Sequence, residues 1–176
     1  MKDISFNFKP LNEAQLSLLT RWLNYKHLQE WWNSGEITLE NVREKYLPRI
    51  IGSDSARPYI IYLDEIPIGY IQYYYVSAGD PNWWPDEPGR DVIGIDQFIA
   101  DINLLDKGYG TMMITQFIRY LDNEITISEV RVDPRPDNLR AIRCYEKVGF
   151  RKIQNIVTPD GPAIMMTLKN TKDLLP

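Results

Sequence analysis

Thiol and imidazole groups are scarce in this chain, which has one cysteine and one histidine among 176 residues. A single cysteine cannot form a disulfide within the chain, and one cysteine with one histidine provides none of the usual zinc ligand sets. The sequence therefore predicts neither a disulfide framework nor a Cys/His metal site. No histidine lies near Cys144 in sequence, and His27 lies in a polar helical stretch, so we interpret both as packing or surface residues.

Long apolar runs are also missing. Stretches such as residues 59–63 are far shorter than the roughly 20 residues of a membrane helix, and no apolar signal segment follows Met1. We therefore expect a cytoplasmic protein with no membrane partner.

Positive charge is in short supply, since the net charge is -4 and the isoelectric point is about 5.1. Binding nucleic acid needs a surplus of lysine and arginine, so a nucleic-acid partner is not expected. Between Asp80 and Asp106, six aspartates and Glu87 occur with Arg90 and no lysine. This stretch would favour a cationic partner, although a solvated acidic loop would have the same composition.

The length predicts one domain over residues 1–176, because the chain is long enough for one good core and too short for two. Apolar periodicity and turn residues predict a mixed α/β order with several hairpins. The predicted strands are residues 4–9, 59–63, 66–77, 92–100, 127–132, 151–157 and 163–169, and the main predicted helices begin near Asn12, Thr38, Gly108 and Asn138.

The most informative segment is a short helix with legible ends. Ala141, Ile142, Tyr145 and Val148 recur at helical spacing and share a face. Asp137 or Asn138 can cap its start, and Gly149 suits the left-handed position after its end, with Phe150 closing it.

A second informative segment lies about thirty residues upstream, where Lys107-Gly108-Tyr109-Gly110-Thr111 leads into another helix. Glycines let backbone amides approach a ligand, and the helix N-terminus attracts anions, so the segment is suited to a pyrophosphate. The pattern matches neither the nucleotide triphosphatase loop nor the dinucleotide-binding fingerprint. An ordinary glycine turn before a helix would have the same sequence.

In combination, the glycine turn, Asn138 and the segment from Cys144 to Phe150 resemble the acetyl-coenzyme A binding half of the GNAT N-acetyltransferase superfamily. The resemblance extends to the aminoglycoside 6′-N-acetyltransferases and covers about residues 20 to 165. It rests on Glu30-Trp31-Trp32, Tyr46-Leu47-Pro48, Pro67-Ile68-Gly69-Tyr70, Trp83-Trp84, Gly94-Ile95-Asp96-Gln97, Asp133-Pro134, Asn138-Leu139-Arg140-Ala141-Ile142-Arg143-Cys144-Tyr145 and Thr158-Pro159-Asp160-Gly161-Pro162.

The resemblance implies a mixed, mainly antiparallel central sheet flanked by helices, and acetyl-coenzyme A as co-substrate without a metal. It implies that residues 107–111 cradle the pyrophosphate and that the pantetheine arm lies against Ala100 and Ile102. Asn138 matches a residue near the pantetheine, although it could equally serve as a helix cap. Leu105 stands where the superfamily usually has Gln or Arg, which removes a side-chain contact and leaves the backbone cradle.

Two residues are the catalytic candidates. Tyr145 matches the hydroxyl that protonates the departing thiolate, and a phenol keeps its proton at neutral pH. Asp96 interrupts an apolar strand, which is costly unless the carboxylate is used or paired, so we expect it to act as base or amine orienter. Their structural alternatives are a core tyrosine and a satisfied aspartate.

The acceptor implied by the resemblance is a polycationic aminoglycoside, with its 6′-amine as the expected nucleophile. Asp80, Asp96, Asp133 and Asp160 would bind its ammonium groups, and Trp83 would form a flat wall. Asp133 and Asp160 could also be ordinary turn residues. The alternatives left open are a siderophore hydroxylamine, a polyamine or a protein lysine as acceptor, and a binding module without turnover. The chain is expected to be a monomer or homodimer.

Overall fold

The structure is a computed structural model that describes residues 4–32, 35–169, 171 and 174, so Met1 to Asp3 lie outside the described part. In this part the chain forms five α-helices and seven strands, mostly antiparallel, which confirms the predicted mixed α/β class. None of these helices is long and apolar enough to span a bilayer. The chain divides into two compact units, residues 1–73 with 97–104, and residues 74–96 with 105–176. The prediction of a single domain stays a prediction.

The first unit contains three antiparallel strands in the order β1-β2-β3. Their bounds are Phe6–Pro10, Arg57–Leu63 and Ile66–Tyr75, and the last two residues of β3 belong to the second unit. Asp64 and Glu65 join β2 to β3 with φ angles of 47° and 64°, the left-handed conformation that two-residue hairpins require. The predicted hairpin is confirmed.

Three helices pack in the first unit: α1 at Leu16–Leu23, α2 at Lys26–Gln29 and α3 at Leu39–Ile50. Leu16, Leu19 and Leu23 recur at helical spacing on α1 and are buried. The core that they join includes Tyr46, Tyr70 and Phe98. Local capping defines where α3 begins, because the Asn41 amide donates to Thr38 Oγ1 at 3.2 Å.

The second unit contains the start of β4 and the rest of the chain. Its elements are β4 at Val92–Ile99, α4 at Tyr109–Asp122, β5 at Glu129–Val132, α5 at Leu139–Val148, β6 at Arg151–Thr158 and β7 at Gly161–Leu168. The strand order is β4-β5-β7-β6, in which β4 and β5 are parallel and the other pairs are antiparallel. The last three residues of β4 belong to the first unit.

The two informative segments of the sequence form α4 and α5. The apolar residues of α4 recur at helical spacing and form its buried face. They are Met113, Ile114, Phe117, Ile118 and Leu121. Of the two predicted caps for α5, Asn138 is the one used, since its Oδ1 accepts from the Ala141 amide at 3.1 Å. Gly149 follows α5 with a φ of 115°, the left-handed conformation expected from the sequence.

Backbone contact between β3 and the end of β4 positions Ala100 in the first unit. The Ala100 amide donates to the Ile68 carbonyl at 2.7 Å. A Cβ atom added to Gly69 would overlap the Phe98 carbonyl oxygen and lie 3.2 Å from Ile99 Cα. The two segments approach this closely only because residue 69 has no side chain.

We expect Gly69→Ala to lower the free energy of unfolding by about 1 to 3 kcal/mol, since the obstacle is backbone that cannot rotate away. Chemical denaturation measures the change. Gly79→Ala is the matched control, because its added Cβ would lie 3.5 Å from the nearest atom, an ordinary contact. Equal stability of the two variants would contradict the close approach.

Candidate active site

The glycine turn has the geometry of an anion site. Gly108 begins α4 with a φ of 85°, and a Cβ added there would have no atom within 4 Å. The first helical hydrogen bond runs from the Met112 amide to the Gly108 carbonyl, at 3.2 Å. Because a glycine cap has no side chain, it supplies no acceptor to the amides of residues 109–111. Amides without a capping side chain, open space beside Gly108 and the positive end of the helix dipole suit a phosphate group.

Two exposed charges next to this turn pair with each other. Arg140, near the start of α5, places Nε 3.2 Å from Asp106 Oδ1. Asp106 has a φ of 59°, so its own backbone helps to form the turn. The pair offsets a carboxylate that would otherwise oppose an anion, and Lys107 adds a further exposed positive charge.

Tyr145 and Cys144 lie side by side on α5. Tyr145 is 8% exposed, and its ring centroid is 5.5 Å from that of Phe150. Cys144 Sγ lies 3.6 Å from Thr111 Oγ1, which joins α5 to the first turn of α4. Burial raises the pKa of the Cys144 thiol, so the thiolate needed for nucleophilic attack is disfavoured. The geometry supports the interpretation of Cys144 as a packing residue.

Within the first unit, Ala100 and Ile102 line a cavity of about 580 Å³. The opposite wall comes from the segment around α2, including Tyr25, Lys26 and His27. The His27 ring stacks on Tyr25 with centroids 5.9 Å apart, and its Nε2 is 3.4 Å from the Ile99 carbonyl oxygen. The two residues expected to contact pantetheine thus face a cavity large enough for part of a ligand.

Strand register in the second unit brings the first two predicted acids together. The parallel pairing of β4 and β5 sets Gly94 opposite Arg131. Asp96 lies two residues beyond Gly94 on β4, and Asp133 lies two residues beyond Arg131, directly after β5. The charge of Asp96 raises the pKa of Asp133, so the two carboxylates are close enough to interact.

Asp160 joins this pair from the turn between β6 and β7. The Ile164 amide donates to the Pro134 carbonyl at 2.9 Å, which holds the start of β7 beside the end of β5. Asp160 is exposed, and its amide donates to Thr158 Oγ1 at 3.2 Å. Asp96, Asp133 and Asp160 are called the acid cluster below.

The pKa of Asp133 is raised by its position within the acid cluster. Burial, followed by the charge of Asp96 and then that of Asp160, raises its pKa from 3.8 to about 7. A hydrogen bond from the Trp83 indole acts in the opposite direction. Asp133 therefore changes between its protonated and ionised forms near neutral pH. Among the described residues, no group of three or more acidic, histidine or cysteine side chains is placed to hold a metal ion.

Tyr74 on β3 is a neighbour of the acid cluster that our sequence reasoning missed. Burial, together with the charges of Asp96 and Asp133, raises the pKa of its phenol well above the ordinary value, so the hydroxyl keeps its proton. A Cβ added to Gly94 would overlap the phenol ring. A glycine inside a strand opposite an aromatic-rich strand was the signal available in the sequence.

The loop between β3 and β4 reaches the acid cluster through Trp83, the residue expected to form a flat wall. The Trp83 indole Nε1–H donates to Asp133 Oδ2 at 2.7 Å, so the ring edge contacts an acid. Asp80, predicted to bind substrate, accepts from the Asn82 amide at 2.8 Å and from its side chain at 3.1 Å. Both bonds end on Asp80 Oδ1 and close a turn within the loop, and the binding of substrate by Asp80 stays a prediction.

Arg131 on β5 was also missed, although it ties this loop to the strand. Its guanidinium is bidentate to Asp86, at 2.7 and 2.8 Å, and its Nε donates to Glu129 at 2.6 Å. It also lies 5.4 Å from the centre of the Trp84 ring. Hydrogen bonding from Arg131 lowers the pKa of Asp86, which is therefore a paired carboxylate and adds little to the negative field of the loop.

Comparison with known proteins places this geometry in a family. The model of the acetyltransferase (GNAT) domain matches residues 12–158, which is most of the chain. The chain therefore belongs to the GNAT acetyltransferases, and the predicted resemblance is confirmed.

Individual relatives are similar over nearly the whole chain. The aminoglycoside N(6′)-acetyltransferase type 1 of Klebsiella pneumoniae is 42% identical over 164 residues, covering 92% of this chain and 82% of the relative. A solved structure of aminoglycoside acetyltransferase AAC(6′)-Ib with coenzyme A and kanamycin is 41% identical, with a TM-score of 0.87, covering 94% of this chain and 95% of that chain. The aminoglycoside N(6′)-acetyltransferase of Legionella pneumophila is 25% identical, with a TM-score of 0.77, covering 98% and 96%.

We expect Asp133→Asn to become increasingly stabilising, relative to the wild type, as the pH rises from about 4 to about 7. A carboxyl whose pKa is raised to about 7 on folding holds its proton more tightly in the folded protein, so its contribution to stability is lost as the pH rises through this window. Asparagine does not titrate there. Urea denaturation of both proteins across the window measures the difference, and a constant difference would contradict the raised pKa.

Proposed function

We propose that the chain transfers the acetyl group of acetyl-coenzyme A to an amine, and that the acceptor is the 6′-amino group of an aminoglycoside. The observation that carries the proposal is the acid cluster, in which Asp96 lies within β4, Asp133 directly follows β5 and Asp160 lies between β6 and β7. Asp96 and Asp133 repel each other there, and a cationic ligand would relieve that repulsion. The relatives at 41% to 42% identity are named as aminoglycoside acetyltransferases, which supports the same acceptor class.

The glycine turn is suited to hold the diphosphate of the co-substrate. The amides of residues 109–111 lie in the first turn of α4, and no side chain of the left-handed Gly108 covers them. Backbone amides at a helix start suffice for an anion, so Leu105 need not contribute a side chain. Ala100 and Ile102, which line the cavity of the first unit, are assigned to the pantetheine arm. Asn138 keeps its capping role in α5 and is assigned a place near that arm.

The acid cluster would bind the acceptor through charge-assisted hydrogen bonds from its ammonium groups. Asp160 is exposed and Asp133 is half-buried, so the cluster extends from solvent toward the interior. Such a gradient lets one ammonium group stay hydrated while another is desolvated. We assign Trp83 to the rim, where its indole already contacts Asp133, and Asp80 to the support of the same loop.

Deprotonation of the acceptor is assigned to the pair Asp96 and Asp133. An amine arrives mostly as ammonium and must lose a proton before its nitrogen can attack a carbonyl carbon. A carboxyl with a pKa of about 7 is matched to that task at neutral pH. We retain Asp96 as the residue that orients the amine, since it lies on a strand, and assign the titration to the pair.

Acetyl-coenzyme A supplies the acyl group as a thioester. The acceptor nitrogen forms the new bond to the carbonyl carbon, and the bond from that carbon to sulfur breaks. Tyr145 is assigned to donate its hydroxyl proton to the departing thiolate, because a buried phenol on α5 keeps that proton at neutral pH. The acceptor nitrogen loses a further proton as the amide forms, and this proton restores the Tyr145 hydroxyl. A direct transfer of this kind does not need Cys144, whose thiol is disfavoured as a nucleophile.

We expect the purified protein to release coenzyme A rapidly with kanamycin-type aminoglycosides and slowly with a hydroxylamine, a polyamine or a lysine peptide. A largely neutral hydroxylamine gains little from the charge of the acid cluster, and a flexible polyamine or lysine chain loses more conformational freedom on binding than a sugar ring does. A thiol-trapping assay with mass spectrometry of the acceptor identifies the product. Turnover with none of the aminoglycosides would overturn the proposal, and tight binding without any product would indicate a binding module.

We expect Asp96→Asn and Tyr145→Phe each to lower kcat by about a hundredfold, with a smaller effect on the KM for acetyl-coenzyme A. The controls are Glu124→Gln, which removes an exposed acid, and Tyr120→Phe, which alters a tyrosine stacked on Phe117 at 6.2 Å. Steady-state kinetics with both substrates varied measures the split. A kcat within about twofold of wild type in Asp96→Asn or Tyr145→Phe would remove that residue's assigned role.

We expect the KM of the aminoglycoside to rise severalfold between about 50 and 300 mM salt, because exposed charges are screened at the higher concentration. Asp160→Asn should weaken this dependence, since Asp160 is the exposed member of the acid cluster. A KM that is independent of salt in the wild type would contradict binding through the carboxylates.

A further inference from the structure

Asp133 and Arg131 lie two residues apart at the end of β5, so their side chains point to the same face of the strand. The loop between β3 and β4 is attached to both of them. Asp86 binds Arg131 through two hydrogen bonds of 2.7 and 2.8 Å, and Trp83 donates to Asp133 at 2.7 Å. The loop is therefore held at two points about 7 Å apart along one strand.

We propose that Arg131 is a positioning residue for acceptor binding: its ion pair with Asp86 and its contact with Trp84 fix the loop so that the Trp83 indole N–H stays directed at Asp133. The proposal rests on the proposed function for its kinetic readout. It also makes a structural claim, the placement of Trp83, that can be measured without turnover.

The guanidinium geometry explains why an arginine suits this position. Bidentate pairing with a carboxylate fixes direction as well as distance, which a single point charge does not. The Trp84 ring lies against the same guanidinium, with 5.4 Å from its carbon to the ring centre, and is 6% exposed. Because Trp83 precedes Trp84, the position of one ring constrains the other.

Burial makes the attachment stiff. The Arg131 side chain is 4% exposed, and a buried guanidinium is costly unless it is paired on more than one side. Glu129 supplies the second partner at 2.6 Å. The guanidinium would therefore stay charged and paired with Glu129 if Asp86 were replaced, so a change at Asp86 releases the loop while the strand keeps its ion pair.

A slip of the loop by one strand residue, about 3.3 Å, would break the bond between Trp83 and Asp133. Trp83 would then have no fixed position beside the acceptor, and Asp133 would lose the hydrogen bond from the indole. A displaced Trp83 would lose its contact with the acceptor, and loss of one such contact corresponds to a change in affinity on the order of tenfold. We expect that change in the KM for the aminoglycoside and little change in the KM for acetyl-coenzyme A.

The variants are Asp86→Ala and Arg131→Lys, with Glu87→Ala as the matched control. Glu87 is an exposed acid on the same loop, so its removal changes the loop charge equally and leaves the ion pair intact. Arg131→Lys keeps the positive charge and loses the bidentate geometry. Asp86→Asn is the milder replacement should thermal unfolding show that Asp86→Ala does not fold.

The first readout is the Trp83 indole resonance in a spectrum of protein with ¹⁵N-labelled tryptophan, assigned through Trp83→Phe. We expect it to move toward the position of a solvated indole in Asp86→Ala and Arg131→Lys, and to stay in place in Glu87→Ala. An unchanged resonance in both of the first two variants would overturn the proposal. This result does not depend on activity, so it decides the placement of Trp83 even if no aminoglycoside is acetylated, in which case the proposed function fails separately.

The second readout is the KM for the aminoglycoside in single and double variants. We expect a rise on the order of tenfold in Asp86→Ala, and no further rise when Asp86→Ala is added to Trp83→Phe, because the donor that the ion pair positions is already absent. A purely structural role of Arg131 would add its full effect in the Trp83→Phe background. That additive result, or a shifted indole with an unchanged KM in folded Asp86→Ala, would overturn the positioning role.

Discussion

Repulsion between two carboxylates is the interaction on which the rest of the site depends. Parallel pairing of β4 and β5 brings Asp96 and Asp133 near each other, where burial removes the water that would screen them. Two such charges are tolerated when something nearby compensates, and here the Trp83 indole donates a hydrogen bond to Asp133. The negative charge that remains uncompensated gives the site a preference for a cation.

In the proposed reaction, the loop between β3 and β4 would bind the acceptor and the glycine turn would bind the co-substrate, by different means. The turn needs no side-chain chemistry, because backbone amides and an open approach suit a diphosphate, and Gly108 supplies the conformation. The loop needs side chains throughout. Asp86 and Trp84 hold it to Arg131, and Trp83 reaches the acid. This division agrees with a co-substrate recognised by its phosphates and an acceptor recognised by its charge.

Features set by local chemistry could be predicted from the sequence. Asn138 and Gly149 bound α5 because a cap and a left-handed glycine act within one helical turn, and Asp64 with Glu65 marked a hairpin for a similar reason. The sequence also pointed to Asp96, Asp133 and Asp160, as an exception to an apolar pattern or through the family resemblance, and the structure brings these three together. The pairing of Asp86 with Arg131 could not be found, because the two are 45 residues apart and no period or motif links a loop acid to a strand arginine.

The most direct test of the account is the number of protons released when an aminoglycoside binds, measured by calorimetry in buffers of different ionisation enthalpy. A cation bound beside Asp133 should lower the pKa of that carboxyl from about 7, so binding at about pH 6 should release a proton from it. We expect the wild type to release more protons than Asp133→Asn under the same conditions. Equal release by the two proteins would mean that the carboxyl does not face the bound amine, and the account of the acid cluster would be wrong.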